Sequence, residues 1–204
     1  MGIDLKSAAA SSGVDLPADA VDRLEAYLDL MLRWNRVYNL TAITARDEMR
    51  VKHLLDSLAC LPYIKGDHLL DVGSGAGLPG IVLAIAAPTL TCTLLDSRAK
   101  RTRFLTQARI ELALPNVSVV TSRFEALPAP YPYTTVISRA FTDVRAMLQV
   151  TADWQVAGLR HLVMKGQVPR EELASLQASG VNYVLHALDV PHLGEPRHLL
   201  QVDR

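Results

Sequence analysis

The sequence predicts an α/β fold: an N-terminal helical cap, then a seven-stranded, mostly parallel sheet with helices on both faces. From His68 onward, short apolar runs alternate with segments of helical periodicity, which is typical of a parallel sheet. The first 60 or so residues show helical periodicity alone, and the last two strands have no helix between them. The predicted strands are residues 68–72, 91–95, 117–121, 135–138, 161–165, 182–188 and 198–202.

The cap begins with a helix predicted over residues 17–38, whose first residue is a proline, a good first-turn residue. Val21, Leu24, Leu28 and Met31 recur at spacings of 3, 4 and 3, which indicates one buried helical face. The pattern therefore predicts that this helix packs on the core.

A second cap helix is predicted over residues 47–59, with Met49, Val51, Leu54 and Leu58 facing inward. Residues 1–13 are small and polar and are expected to be loosely ordered. The sequence thus predicts a helical extension over residues 1–60, packed on a core domain over residues 61–204. The other predicted helices are residues 78–86, 98–112, 141–150 and 170–177.

A glycine loop follows the first predicted strand and precedes a helix. Asp71 is followed by Gly73, Gly75 and Gly77, which allow positive φ and a close approach to a ligand. The start of the next helix offers unpaired N–H groups. This order of elements predicts a site for a nucleotide-like molecule, the alternative being a turn that binds nothing.

The acid before the glycines favours S-adenosylmethionine (SAM) over a dinucleotide. A carboxylate at Asp71 would repel a pyrophosphate, whereas it could attract the ammonium group of SAM directly or through water. The dinucleotide pattern G-x-G-x-x-G also fits Gly75, Gly77 and Gly80. That register puts a proline inside the loop and leaves Asp71 unexplained.

A second acid, Asp96, ends the second predicted strand, about 20 residues after the glycines, where it can bond ribose hydroxyls. SAM and NAD both contain such a ribose, so Asp96 supports a nucleoside without choosing between them. The alternative role is capping of the helix that follows.

The end of the chain favours the Rossmann-like sheet of class I SAM methyltransferases. The last two strands are separated by residues 191–196, which include Pro191, Gly194 and Pro196 and predict a hairpin at the sheet edge. Ligands of such a sheet are expected beyond the carboxyl ends of the parallel strands.

Composition narrows the function classes. The 204 residues are half hydrophobic, and no apolar run reaches the ~18 residues of a membrane span. A signal peptide is not apparent, so a cytoplasmic protein is expected. Cys60 and Cys92 are expected to be buried thiols, and the scattered histidines predict no metal site. Lysine plus arginine equals aspartate plus glutamate at 21 each, which excludes a generally basic nucleic-acid binder but not a local basic patch.

Six blocks together resemble the glucose-inhibited division protein B family from about residue 17 to the end. The glycine loop alone is typical of SAM enzymes in general, whereas the segments Asn39-Leu40-Thr41, His53 to Ser57 and Ser138-Arg139-Ala140 are specific to the family. The blocks are Trp34-Asn35-Arg36-Val37-Tyr38-Asn39-Leu40-Thr41, His53-Leu54-Leu55-Asp56-Ser57, Leu70-Asp71-Val72-Gly73-Ser74-Gly75-Ala76-Gly77-Leu78-Pro79-Gly80, Ile137-Ser138-Arg139-Ala140-Phe141, Lys165-Gly166-Gln167 and Arg197-His198-Leu199.

The resemblance implies a bacterial SAM-dependent methyltransferase that modifies N7 of one guanine in a decoding-region loop of 16S ribosomal RNA (rRNA). It implies that Gly73 and Leu78 line the SAM pocket, that Phe124 and Glu125 lie against the adenine, and that Arg139 reaches SAM or the target nucleotide. Phe124 departs from the family pattern, in which smaller residues are common there.

The implied chemistry needs no general base, because guanine N7 carries a lone pair and no proton. We therefore expect alignment and desolvation to dominate catalysis, with Arg139 as a positioning group. The expected partner is 16S rRNA, free or in the 30S subunit, and a monomer is expected. Arg101, Arg123, Lys165 and Arg197 are the candidate RNA-binding residues.

Three other functions remain compatible with the residues: a SAM methyltransferase for a small molecule or protein, an NAD(P) oxidoreductase, and a non-catalytic RNA-binding factor. Trp34 and Tyr38, four residues apart, could pack the cap on the core or stack on a base, and packing is the favoured interpretation. Asn39, His53 and Asp56 could join the cap to the pocket by hydrogen bonds.

Overall fold

A seven-stranded sheet, in the order β3-β2-β1-β4-β5-β7-β6, forms the centre of the computed structural model, which describes residues 2–127, 132–139 and 143–204. β1 to β5 are parallel, and β7 pairs antiparallel with both β5 and β6. The predicted sheet and terminal hairpin are thus confirmed. The strands are β1 His68–Val72, β2 Thr91–Asp96, β3 Val117–Thr121, β4 Thr135–Arg139, β5 Arg160–Lys165, β6 Val184–Leu188 and β7 Arg197–Asp203.

The order in which successive strands are added to the sheet reverses beside β1. From β1 it moves outward through β2 to β3, then returns to place β4 on the other side of β1. Such a switch point leaves a crevice at the carboxyl ends of the strands, where ligands bind in open α/β sheets. The helices after β1 are α5 Gly80–Ala86, α6 Ala99–Glu111, α7 Val144–Val150 and α8 Arg170–Ala178. The predicted start of the α7 helix at Phe141 lies outside the described residues.

The cap consists of helices packed on one face of the sheet. Its elements are α1 Leu5–Ser11, α2 Ala20–Tyr38, α3 Arg46–Met49, a π-helical segment Arg50–Leu55, α4 Asp56–Leu58 and a 3₁₀ turn Leu61–Tyr63. α3, the π-helical segment and α4 together cover the predicted second cap helix. Its inward side chains, those of Met49, Val51, Leu54 and Leu58, are buried as predicted.

The expectation that residues 1–13 are loosely ordered is wrong, because α1 forms there. Asp4 caps this helix by accepting hydrogen bonds from the backbone N–H groups of Lys6 and Ser7 at 3.1 and 3.3 Å. Leu5, Ala8 and Ala9 are buried, and α1 contacts the π-helical segment. Alanine has a high helix propensity, and its small side chain lets a helix pack closely against its neighbours. Small residues therefore do not by themselves indicate a loosely ordered segment.

Two hydrophobic clusters lie on opposite faces of the sheet. The cap-side cluster joins Tyr27 and Leu54 to Leu69 of β1, whereas Leu70 of β1 belongs to the cluster on the far face. Because side chains alternate along a strand, the side chains of residues 71, 139 and 197 point to the cap face, two residues beyond buried cap-side positions. Within the described ranges, no helix is long and apolar enough to cross a membrane.

We predict that α1 contributes to global stability. Leu5→Ala should lower the free energy of unfolding by about 2–5 kcal/mol, because it leaves a cavity against the cap. Lys6→Ala, at an exposed position of the same helix, should change it by less than about 0.5 kcal/mol. Urea denaturation of both variants measures the difference, and equal effects would show that α1 is not part of the cooperative core.

Candidate active site

A cavity of about 560 Å³ lies beyond the carboxyl ends of β1, β2 and β3, at the side of the switch point. This volume is typical of a pocket for a small molecule. It is lined by Val72, Gly73, Leu95, Asp96, Ser97, Arg98, Arg101, Ser122, Arg123, Phe124 and Glu125.

The glycine loop is tightly folded against the end of β2. The backbone N–H groups of Gly73 and Ser74 both donate to the carbonyl of Leu95, at 2.8 and 3.0 Å. Gly75 and Gly77 have φ of 58° and 91°, and a Cβ at Gly75 would lie 2.5 Å from a guanidinium nitrogen of Arg101. These two positions therefore require glycine.

Tyr27 of the cap supports the loop from below. Its buried hydroxyl donates to the carbonyl of Ala76, so α2 is bonded directly to the glycine loop. No sequence motif points to this residue. Its position three residues after Leu24 on the inward face of α2 was the available indication.

Asp71 is fully buried beneath the loop and does not line the cavity. Its Oδ2 accepts a hydrogen bond from the Gly80 N–H at 2.9 Å, so the carboxyl group lies at the N-terminus of α5. Its Oδ1 is buried with no hydrogen-bond partner among the described residues. Burial raises the pKa of Asp71 to about 7.

Asp96 lines the cavity and also holds the loop. Its Oδ2 accepts from the Gly75 N–H at 3.0 Å, and its Oδ1 accepts from the Arg98 N–H at 2.9 Å. Each carboxylate oxygen can accept more than one hydrogen bond, so Asp96 retains capacity for a ligand hydroxyl. Its carboxylate makes no hydrogen bond to the first turn of α6 itself, which begins at Ala99.

The two residues after β3 that the resemblance assigns to the adenine both line the cavity. The side chain of Phe124 is buried and packs edge-on against Trp154, with ring centroids 5.8 Å apart. Phenylalanine is larger than the residues that are common at this position in the family, and the hydrophobic cluster on the far face of the sheet accommodates its ring. Glu125 is exposed at the cavity.

Asp56 joins the cap to two strand ends. It is 2% exposed, and its Oδ1 accepts from the Arg197 Nε at 2.8 Å. Its Oδ2 lies 3.6 Å from Nη1 of Arg139, which is close enough for an ion pair. This Nη1 atom is buried and has no hydrogen-bond partner in the described structure. Arg197 also pairs with Glu195 at 3.4 Å, so two carboxylates balance the two guanidinium groups.

His53 lies one turn before Asp56 and is neutral at pH 7. Burial, together with the positive charge of Arg139, lowers the pKa of His53 to about 4. The His53 Nε2 is 2.9 Å from the Thr41 hydroxyl, and the Asn35 side chain bonds both backbone groups of Thr41. These contacts connect the end of α2 to the π-helical segment.

Comparison with known proteins identifies the family. A profile described as "rRNA small subunit methyltransferase G" matches residues 20–200. The chain belongs to this family. A protein named ribosomal RNA small subunit methyltransferase G from Alkalilimnicola ehrlichii is 50% identical over 92% of this chain and 86% of its own length. A protein of the same name from Pseudomonas aeruginosa is 46% identical over 98% of this chain and 94% of its own length. The predicted family and enzyme class, a methyltransferase, are thus confirmed.

Solved structures agree on the fold. A SAM-dependent methyltransferase from Aquifex aeolicus has a TM-score of 0.58 and 18% identity, over 77% of this chain and 93% of its own. A human methyltransferase 10 domain-containing protein has a TM-score of 0.59 and 14% identity, over 87% and 96%. At this identity the likeness supports the Rossmann-like methyltransferase sheet and carries no argument about the substrate.

The structure groups the predicted site residues into three places. The cavity wall holds Gly73, Asp96, Arg101, Arg123, Phe124 and Glu125. Beneath it, the loop and the start of α5 hold Asp71, Gly75, Gly77 and the half-buried Leu78. Arg139 and Arg197 meet at Asp56, away from the cavity wall.

Lys165 lies apart from all three groups. It pairs with Glu172 of α8 at 2.6 Å, on the far face of the sheet. Among the described residues, no cluster of three acidic, histidine or cysteine side chains is arranged to hold a metal ion, and both cysteines are buried free thiols.

We predict that Asp71 contributes a pH-dependent term to stability. Its raised native pKa means that, between about pH 4 and 7, the folded protein holds a proton that the unfolded chain has lost. This contribution is complete below about pH 4 and is lost as the pH rises through 7. Relative to Asp71→Asn, the wild-type protein should lose up to about 1.4 kcal/mol per pH unit over that range.

Urea denaturation of both proteins from pH 4 to 7 measures this difference. His53 and His161, both with a native pKa of about 4, give the opposite slope between pH 4 and 6.5. They act equally in both proteins and cancel in the comparison. A difference that stays constant with pH would contradict the prediction.

We also predict that Asp56 stabilises the junction of cap and sheet. Asp56→Asn should lower the free energy of unfolding by about 3 kcal/mol, because two guanidinium groups lose a buried counter-charge. This value is at the lower end of the cost of breaking a buried ion pair, because the side chains of Arg197 and Arg139 are 17% and 25% exposed. Asp47→Asn, which removes an exposed partner of Arg50, is the matched control and should cost less than about 1 kcal/mol. Similar losses in the two variants would contradict a special role for Asp56.

Proposed function

We propose that this methyltransferase transfers a methyl group from SAM to N7 of one guanine in the decoding region of 16S rRNA. The family match over residues 20–200 is the observation that carries the proposal. The curated relatives are named for the small-subunit rRNA. The N7 atom and the single guanine come from the resemblance of the blocks around Trp34, His53 and Ser138.

The residues present fit SAM better than a dinucleotide. The N–H of Gly80, at the start of α5, is already bonded to the Asp71 carboxyl group, which occupies the position that a pyrophosphate would need. Asp96 faces the cavity with free acceptor capacity for ribose hydroxyls. Asp71 is buried outside the cavity wall, so it would attract the ammonium group of SAM through water and not by direct contact.

When bound, SAM supplies a methyl group activated by a positively charged sulfur. Guanine N7 presents a lone pair without a proton, so the chain needs no general base, and the neutral His53 is given no such role. The loop and the cap hold the reactants in line and exclude water from them. Arg139 keeps an Nη1 without a hydrogen bond, and its positive charge suits an anionic carboxylate or phosphate better than the cationic product base.

The rim of the cavity supports a polyanionic substrate over a small molecule. Arg98, Arg101 and Arg123 line it, and the side chains of all three lack an ion pair or hydrogen bond within the described part of the chain. A ribosomal substrate also places the enzyme in the cytoplasm, as expected from the composition. Free rRNA and the assembled 30S subunit are both consistent with this rim.

Methyl transfer from labelled SAM to unmodified 16S rRNA, offered free and within 30S subunits, tests the proposal. The expected product is one N7-methylguanine per RNA, mapped to the decoding region. SAM binding without transfer to either form would contradict the rRNA substrate. Absence of SAM binding would contradict the assigned cofactor.

We predict that Asp96→Ala weakens SAM binding by about 10- to 100-fold, because hydrogen bonds to a charged acceptor contribute about 1.5–3 kcal/mol. Calorimetry with SAM measures the change, and the melting temperature reports any damage to the loop. Asp153→Asn, at an exposed position outside the cavity, is the control. Unchanged SAM affinity in Asp96→Ala would remove Asp96 from the cofactor site.

A further inference from the structure

A shallow groove lies where the end of α2 meets α6, beside the candidate active site. Its volume is about 320 Å³, and it is lined by Arg33, Trp34, Val37, Tyr38 and Glu111. Val37 is 70% exposed and lines the groove with its side chain outside the core.

The two aromatic residues of the groove are packed on one side and open on the other. The Trp34 ring lies 4.8 Å from that of Tyr38 and meets Phe104 of the core edge-on at 5.7 Å. Both are half-buried, which agrees with the packing role favoured from the sequence. Their remaining surface still lines the groove, so packing and contact with a ligand are compatible here.

The first turn of α6 connects this groove to the cavity. Arg98 and Arg101 line the cavity, and Lys100 between them points to α2. The Lys100 Nζ lies 4.9 Å from the centre of the Tyr38 ring and 3.5 Å from the Val37 carbonyl oxygen. Cavity rim, lysine and groove therefore form one continuous surface.

Several cations on this surface have no acidic partner among the described residues, as is also true of Arg109 and Arg170 elsewhere. Lys165, Arg197, Arg46, Arg50 and Arg160 are all paired with carboxylates. Arg33 of the groove is paired with Glu111, the acid that lines it. In contrast, the side chains that have neither an ion pair nor a hydrogen bond in the described structure include Arg36, Arg98, Arg101, Arg103 and Arg123.

We infer that the first turn of α6 and the Trp34–Tyr38 groove bind the RNA that flanks the target nucleotide. Phosphates lie along Arg98, Lys100 and Arg101, and one unpaired base contacts Tyr38 and Val37. The inference rests on the proposed function and adds the position of the substrate on the enzyme. Aromatic surfaces interleaved with cations are typical of sites for single-stranded RNA.

The charge of the surface favours RNA over a protein partner. Unpaired arginines and one lysine suit a polyanion. A second copy of the chain would bring the same positive charge to the interface.

Val37→Glu tests the groove, because it places a negative charge at an exposed position without disturbing the core. We expect the KM for 16S rRNA or 30S subunits to rise about tenfold, within the range for loss of one base contact. SAM affinity and kcat at saturating RNA should stay unchanged. Val184→Glu is the matched control, since Val184 is 50% exposed on β6, at the opposite edge of the sheet from β3. It should leave KM within about twofold.

Lys100→Gln tests the phosphate contact through the salt dependence of RNA binding. The slope of log affinity against log salt should fall by about 0.7, the value for one contact on a single strand. Lys6→Gln, at an exposed position of α1, should leave the slope unchanged.

Equal KM values for Val37→Glu and Val184→Glu, or an unchanged salt slope in Lys100→Gln, would overturn the inference. So would a change in the oligomeric state of Val37→Glu, measured by light scattering, without an effect on RNA. The binding measurement needs no turnover. A wild-type protein that binds RNA through this surface but methylates neither substrate would contradict the proposed function and leave the docking surface standing.

Discussion

The hydrogen bond from the Gly80 N–H to the buried Asp71 carboxyl group is the contact on which the site depends. It joins the end of β1 to the start of α5 and closes the glycine loop between them. The loop is then held from three further sides: by the Leu95 carbonyl, by Asp96 and by Tyr27. A loop restrained in this way is organised before a ligand arrives, which reduces the entropy lost on binding.

The cap is part of the catalytic domain rather than an accessory to it. Tyr27 reaches the glycine loop from α2, and Asp56 reaches the ends of β4 and β7 across β5. The hydrophobic cluster on that face also runs without interruption from Leu5 to Leu199. Displacement of the cap would therefore disturb the glycine loop and Arg139 together.

Much of the fold was predictable because each strand is a short apolar run with its own boundaries, and the glycine loop is a local pattern. Pairs that are distant in sequence were not, since only folding brings them together. Asp56 and Arg197 are 141 residues apart. Lys165 and Glu172 are close in sequence but lie on different elements, β5 and α8, and only the packing of that helix brings them together. The burial of Asp71 was also not predictable, because an acidic residue at the end of a strand can point either to a ligand or into the core. The helix α1 was missed because its alanines look like a linker in composition.

The unequal pairing of cations has a consequence at long range. Since the net charge is zero, unpaired arginines around the first turn of α6 must be balanced by acids elsewhere on the surface. The molecule is then neutral overall but carries positive charge around the first turn of α6. With the RNA substrate proposed above it would feel little net attraction, and the local charge would favour the orientation in which the cavity faces the RNA. The effect acts over roughly the 8 Å Debye length of physiological salt, so it orients the final approach rather than the search.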